Sequence, residues 1–456
     1  MKTRRSFLKS TASWGLFGGS FLNMFGRQQA FAANDPKPNA KMIFLFQRGG
    51  NDGINTVIPH GDPDYNTTTR PSLFISESNS IDLGNSFASL HPNMAPMMPI
   101  YDSLALNQTV GLGNLAIIHR VAYANQSRSH FDSQDYMEKG VPRDPTVKDG
   151  MFYRQLREML DLNDANNGFA AVSVDNSAMI GLKGDTPFPN FTDPDQFAFR
   201  GNENERANFL GALPSSEGAG DGTGVLGMYG GGLLDGAAAG GLTHGTGIAL
   251  GGSLQMLANA AGTYTPENGA VYPGGGFGNE ARNAAMLMKR TPVRIVGLDI
   301  GGWDTHTNQG TLNGAQGSRL GTVAEAIQAL SLDLQDQWQD LIIVSMTEFG
   351  RTSKENGSNG TDHAEASVMF VAGGGVNGGV YNCDSTTWSQ GDMFSKNGRY
   401  LARKTDFRSV FGEIFMRHFG DTRAQLDTVI PGYTAAENDA IVASDGTFNF
   451  LNFLAS

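Results

Sequence analysis

Cysteine is almost missing from this chain: its 456 residues include one, Cys383. No intramolecular disulfide can form, so the fold must hold by the size of its core or by bound metal. Cys383 has no histidine beside it in an interpretable motif and reads as a small, partly buried residue, not a nucleophile. An excess of basic charge is missing too. Lys and Arg number 33 against 45 Asp and Glu, a formal net charge of -12. Such a surface argues against nucleic acid or an anionic membrane as partner. Beyond the first 32 residues no segment offers the roughly 20 consecutive apolar residues that a membrane span requires. No fixed-period repeat is visible, which excludes a solenoid. None of the glycine clusters has the strand-to-helix spacing of a phosphate loop ending in Lys-Ser/Thr.

What is present begins at the N-terminus. Thr3-Arg4-Arg5-Ser6-Phe7-Leu8-Lys9 resembles the twin-arginine export consensus. A mildly apolar stretch follows from Thr11 to Gly26, and Ala30-Phe31-Ala32 supplies small residues where a signal peptidase reads. Residues 1–32 are therefore expected to be a signal for export of an already folded protein, leaving a mature chain in the periplasm or outside the cell without membrane insertion. Removing them takes away five basic residues (Lys2, Arg4, Arg5, Lys9 and Arg27) and no acidic one, moving the formal charge from -12 to -17.

Lys41–Gln47 (KMIFLFQ), Leu115–Ala122, Val293–Leu298, Leu341–Met346 and Ser367–Ala372 are short apolar runs that read as buried strands. Between the third and fourth, Val323, Ile327, Leu330, Leu334 and Trp338 recur at helical steps, giving a crossover unit of a parallel sheet. The expected fold is α/β, a sandwich of helices around a mostly parallel sheet, formed by residues 33–456 as one domain. A stretch at about 200–285 is dense in glycine and alanine and reads as an insertion or cap, with a helix around Ser253–Ala261.

Open parallel sheets bind ligands beyond the carboxyl ends of their strands, and four polar patches fall there. They are Arg48–Gly53, Ser127–Phe131, Gly301–His306, and Thr347–Arg351 continuing to Gly360–His363. Asp304 and His306, two apart on irregular backbone, can point the same way as metal ligands must. Ser129 stands ahead of a helix expected to run through Gln134 to Lys139. It suits a helix cap, and equally an anion site at the positive helix end. Arg351 either neutralises Glu348 or clamps a phosphate or sulfate. The chain has eight histidines, of which His130, His306 and His363 all lie in these patches. That joint pattern points to a divalent metal (zinc, manganese or calcium) held by oxygen and imidazole donors. His91 and His119 are second-tier candidates; His60, His244 and His418 have no suggestive companions.

The runs FLFQRGGNDGINTVIP (44–59), LHP (90–92), SHF (129–131), GGWDTH (301–306), TEFGRT (347–352), GTDH (360–363) and TDFRSVFGEIF (405–415) resemble the exported domain of unknown function 1501 family. The likeness extends over nearly the whole mature length. That family looks like a distant branch of the alkaline phosphatase and sulfatase superfamily. The resemblance implies an alkaline phosphatase-like sandwich with one or two divalent ions on Asp52, Asp304, His306, Glu348, Asp362 and His363. Ser129 (Ser127 second) would be the nucleophile, with His130 beside it and Arg351 or Arg128 orienting the anion. Phe349 stands where the superfamily has a histidine ligand. The expected function is hydrolysis of a phosphate or sulfate ester on a small molecule or polymer. The competing expectation is a secreted binding or assembly protein that keeps the fold without turnover.

Overall fold

A computed structural model describes residues 35–102, 113–162, 167, 169–186, 188–193, 264–433 and 449–455. The expected export signal (residues 1–32), residues 200–263 of the glycine-rich stretch and the helix expected at 253–261 lie outside the described residues.

The apolar run at 41–47 forms an interior strand of the sheet, β1 (Lys41–Gln47). Its side chains alternate between two cores: Met42, Phe44 and Phe46 enter one, Ile43 and Leu45 the other. A strand apolar on both faces must be covered on both, and helices do so here. The other strands of its sheet are β2 (Leu115–Ala122), β3 (Ala171–Ser173), β4 (Ile295–Ile300), β5 (Leu341–Thr347), β6 (Ser367–Ala372), β7 (Gly379–Tyr381) and β8 (Thr405–Asp406). Their order is β7-β2-β6-β5-β1-β4-β3, with β8 also on β2. All run parallel except β6, which is antiparallel to both β2 and β5. The result is the expected three-layer α/β sandwich. Helix α1 (His130–Lys139) follows β2. Helices α3 (Gly276–Arg290) and α4 (Ala315–Asp333) close one face of the sheet; α2 (Met151–Met159), α5 (Phe407–Glu413) and α6 (Arg423–Val429) close the other.

Three expectations shift. β4 starts at Ile295, not Val293, because Arg294 turns its side chain back to Asp35 and the Ala40 carbonyl before the ladder with β1 begins. α4 stops at Asp333, whose carboxylate accepts bonds from the Tyr264 and Tyr272 hydroxyls and the Glu267 amide; Trp338 lies in a separate 3-10 turn. The tail of the glycine-rich stretch is not peripheral, since Ala281, Ala284 and Ala285 of α3 are fully buried in the sandwich. Cys383 is likewise fully buried, and burial pushes its thiol pKa up, away from nucleophilic chemistry.

One buried carboxyl gives a pH test remote from the strand ends. Asp421 accepts a bond from Gln155 on one oxygen, while the other is buried without a partner. Burial raises its pKa to about 7. A carboxyl whose folded pKa is raised stabilises most below its unfolded value, and that contribution is lost as pH rises toward the folded one. Asp421→Asn should therefore outperform the parent increasingly from pH 5 to pH 8, by roughly 2 kcal/mol. Urea denaturation at the two pH values checks it; a constant gap would show that Asp421 is ionised throughout.

Candidate metal centre

The carboxyl ends of β1, β2, β4 and β5 lie along one edge of the sheet, so the loops that follow them meet there. β6 runs the other way, which brings its starting end to the same edge with His363 just ahead of it. The loops are pressed together. A side chain at Gly49, which has φ of +126°, would put its Cβ 2.5 Å from the Asp304 amide nitrogen. A Cβ at Gly360 would meet the His306 carbonyl at 2.4 Å. Neither approach tolerates a larger residue.

Arg351 binds these loops to one another. Its side chain is fully buried, with Nε donating to the Gly50 carbonyl at 2.8 Å and Nη1 to Thr361 at 3.1 Å. Nη2 donates to the carbonyls of Gly49 and Trp303 and to Asp304 Oδ1, the last at 2.6 Å. The guanidinium is thus consumed by protein acceptors. The expected anion clamp is corrected to a positioning residue.

Three imidazoles share one pattern. His130 Nδ1 faces Glu348 Oε1 at 2.8 Å, His363 Nδ1 the Arg128 carbonyl at 2.8 Å, and His306 Nδ1 Asp362 Oδ1 at 3.1 Å. Each partner is an oxygen acceptor, which fixes the hydrogen on Nδ1 and leaves Nε2 as a donor atom for a cation. The three Nε2 atoms converge on Asp304, 3.5 Å from Oδ2 for His130, and 3.0 and 3.1 Å from Oδ1 for His363 and His306. Among the described residues, one atom each of His130, Asp304 and His363 lie within 4.8 Å of one another, the spacing that could hold a metal ion. Tetrahedral ligands about 2.1 Å from a zinc ion stand roughly 3.4 Å apart, close to these separations.

Two further observations fit a cation. His130 Nε2 is buried with no hydrogen-bond partner. The Nε2 atoms of His306 and His363 approach to 2.9 Å, which two bare lone pairs do not do without a proton or a metal between them. The electrostatics agree. Burial would raise the Asp304 pKa, but bonds from Arg351 and His363 outweigh it and hold the carboxyl down at about 2. The Glu348 hydrogen bond raises the His130 pKa against desolvation, so the surroundings favour positive charge there. Desolvation lowers that of His363, the direction that favours a free imidazole nitrogen.

The remaining candidates take other tasks. Glu348 is fully buried and accepts from the Gly49 and Gly50 amides, Gln134, Thr347 and His130, so it orients a donor and is not itself one. Those bonds overcome its burial and lower its pKa. Asp362 orients His306 and also accepts from Asn356. Asp52 does not join the centre; Arg70 grips it with two nitrogens at 2.6 and 3.2 Å, and Gln309 donates to it at 2.7 Å. His130, expected beside a nucleophile, stands in the donor set. Ser129 is the N-cap of α1, its Oγ accepting from the Asp132 amide at 3.4 Å. Ser127 Oγ donates to Asp132 Oδ2. Phe349 packs its ring on His130 and His363.

His91 and His119 are buried core residues, bonded to the Asn93 amide and the Val57 carbonyl, and desolvation lowers both pKa values to about 4. Sequence reading missed Gln134, Arg70 and Asn356. Gln134 alone carried a signal, lying four residues beyond His130 on one helix face.

Residues 251–401 match the model of a family described as "Protein of unknown function (DUF1501)". The match includes Asp304, His306, Glu348, Arg351, Asp362 and His363, and it is shorter than the near full-length resemblance read from the motifs. No curated protein matches the sequence. Among solved structures, the integral membrane protein lipooligosaccharide phosphoethanolamine transferase A from Neisseria meningitidis is similar at 9% identity and a TM-score of 0.28, covering 82% of this chain. The chain spans 56% of that transferase. The PH0037 protein from Pyrococcus horikoshii is similar at 12% identity and a TM-score of 0.25, over 85% of this chain and 97% of its own. Likenesses this distant assign no function to the chain.

Proposed function

We propose that the protein is an exported, metal-dependent hydrolase of a phosphate or sulfate ester. The observation that carries this reading is the open donor set of His130, Asp304 and His363, with Asp304 46% exposed at its side chain. Three protein donors with solvent access suit a catalytic site better than a closed structural one. A divalent ion held there supplies Lewis acidity toward the ester oxygens and the attacking water.

The chain's own residues divide the other work. Glu348 and the Arg128 carbonyl lock the tautomers of His130 and His363. Arg351 fixes Asp304. His306, expected among the metal ligands, is in this reading the proton carrier: backed by Asp362, its Nε2 accepts a proton from the attacking water and returns it to the departing ester oxygen as that bond breaks. A water is the nucleophile in this reading because Ser129 Oγ, among the described residues, has no imidazole or carboxylate base bonded to it. The basic, apolar and small-residue layout of residues 1–32 supports the twin-arginine route, which carries folded cargo and suits a protein that acquires its metal in the cytoplasm.

The test is turnover of aryl phosphate and aryl sulfate by the mature protein after loading with zinc, manganese or calcium. Activity should vanish on chelation and return with metal. His306→Gln should lower kcat by roughly 100-fold or more, the range of general acid-base catalysis, while retaining metal. Metal-loaded protein that cleaves neither ester class would favour the competing reading of a binding or assembly protein.

A further inference from the structure

Once Arg351 is consumed by the fold, Arg128 and Arg399 are, among the described residues, exposed cationic groups tied to the residues of the centre. Arg128 belongs to the segment leading into α1, and its carbonyl lies behind the His363 ring, on the Nδ1 side away from the donor atoms. Arg399 Nη2 is 4.0 Å from Asp362 Oδ2, and Asp362 in turn stands behind His306. Arg128 therefore sits directly behind the donor His363, and Arg399 behind Asp362 and His306.

They are gathered on one ring. The guanidinium carbons of Arg128 and Arg399 lie 5.1 and 5.6 Å from the centroid of the buried Tyr400 side chain. Arg399 is held by a tight turn in which Asn397 and Gly398 both take positive φ, and Lys396 and Tyr400 pair across it. Like charges placed together repel, and a cation–π contact at an exposed site offsets only a little of that repulsion. Each arginine has one long, single-contact ion pair: Glu365 is 3.8 Å from Arg128, and Asp362 4.0 Å from Arg399. The side chains are 43% and 61% exposed, leaving N–H donors free to turn to a ligand. On a chain of net charge -12, two exposed arginines gathered on one ring are a local exception.

We infer that Arg128 and Arg399 form an oxyanion subsite for a second anionic group of the substrate, beyond the ester that is cleaved. That its occupant is a substrate rests on the hydrolase reading; the anion binding itself does not. The preferred ester would then carry a further sulfate, carboxylate or phosphate on its leaving portion. Forked N–H donors of arginine match all three groups.

The experiment reads binding, not turnover. Short oligomers of dextran sulfate, oligogalacturonate and polyphosphate are titrated calorimetrically into metal-loaded wild type and the Arg128→Gln/Arg399→Gln variant. Both substitutions leave the Arg128 carbonyl in place, and metal content with thermal midpoint confirms an intact fold. At least one oligomer should bind wild type, weaken with added salt, and lose about tenfold or more in affinity in the variant, as befits lost charge-assisted bonds. The oligomer that responds identifies the second group as sulfate, carboxylate or phosphate. No binding, or equal affinity in the variant, overturns the subsite. Variant-sensitive binding without ester turnover would retain the subsite and reject the hydrolase; turnover without variant-sensitive binding would do the reverse.

Discussion

Asp304→Asn is expected to weaken divalent metal binding by about 100-fold or more, since even outer partners of ligands are typically worth 10–100-fold. Asp304 brings the negative charge of the donor set and touches all three imidazole Nε2 atoms. Asparagine keeps an oxygen for Arg351, so the loops stay tied while the charge is lost. Calorimetric titration with zinc and manganese measures the affinity directly. Glu348→Gln makes the informative comparison. It should cost less, on the order of tenfold, because Glu348 acts through the ring orientation of His130. If the two costs were reversed, Glu348 would be the ligand and Asp304 the orienting group. If Asp304→Asn bound metal as the parent does, the convergence on Asp304 would be a proton-sharing network and not a metal centre.

Why a sequence can announce this centre yet misassign its members is a matter of what a motif encodes. The apolar runs of β1, β2 and β6 have the bounds expected because a strand buried on both faces is written in consecutive residues. The polar patches fall at strand ends for the same reason: where the apolar run stops, the chain leaves the core. Residue type shows that His130, Asp304, His306, Glu348 and His363 suit metal chemistry. It does not show which atoms face which. Glu348 and Asp304 are both carboxylates at strand ends, but the amides of Gly49 and Gly50 surround one and solvent reaches the other. In sequence Arg351 looks free to clamp an anion because the carbonyls that consume it come from residues 49, 50, 303 and 361, brought to it only by the sheet order.

Asp52 is the sharpest case, and replacing its partner gives the second large effect. Arg70 and Asp52 are both fully buried at their side chains, 2.6 Å apart. Arg70 also donates to the carbonyls of Thr352 and Ser353 and to Asn55. Nothing in the sequence links the two residues: they are 18 apart and Arg70 stands in no motif. Arg70→Met should lower stability by about 3–5 kcal/mol, because it strands a buried carboxylate with Gln309 as its remaining side-chain donor. Asp52→Asn strands the guanidinium instead and should cost a similar amount. The Asp52→Asn/Arg70→Met double variant should cost less than the two singles added, since each single change leaves an uncompensated charge. Urea denaturation of metal-free protein measures all three. Metal titration of Asp52→Asn then separates a structural residue from a ligand. Its affinity should stay within about threefold of the parent, far from the Asp304→Asn loss, since outer partners of a ligand start at tenfold. A loss as large as that of Asp304→Asn would return Asp52 to the metal and imply that Arg70 releases it when the ion binds.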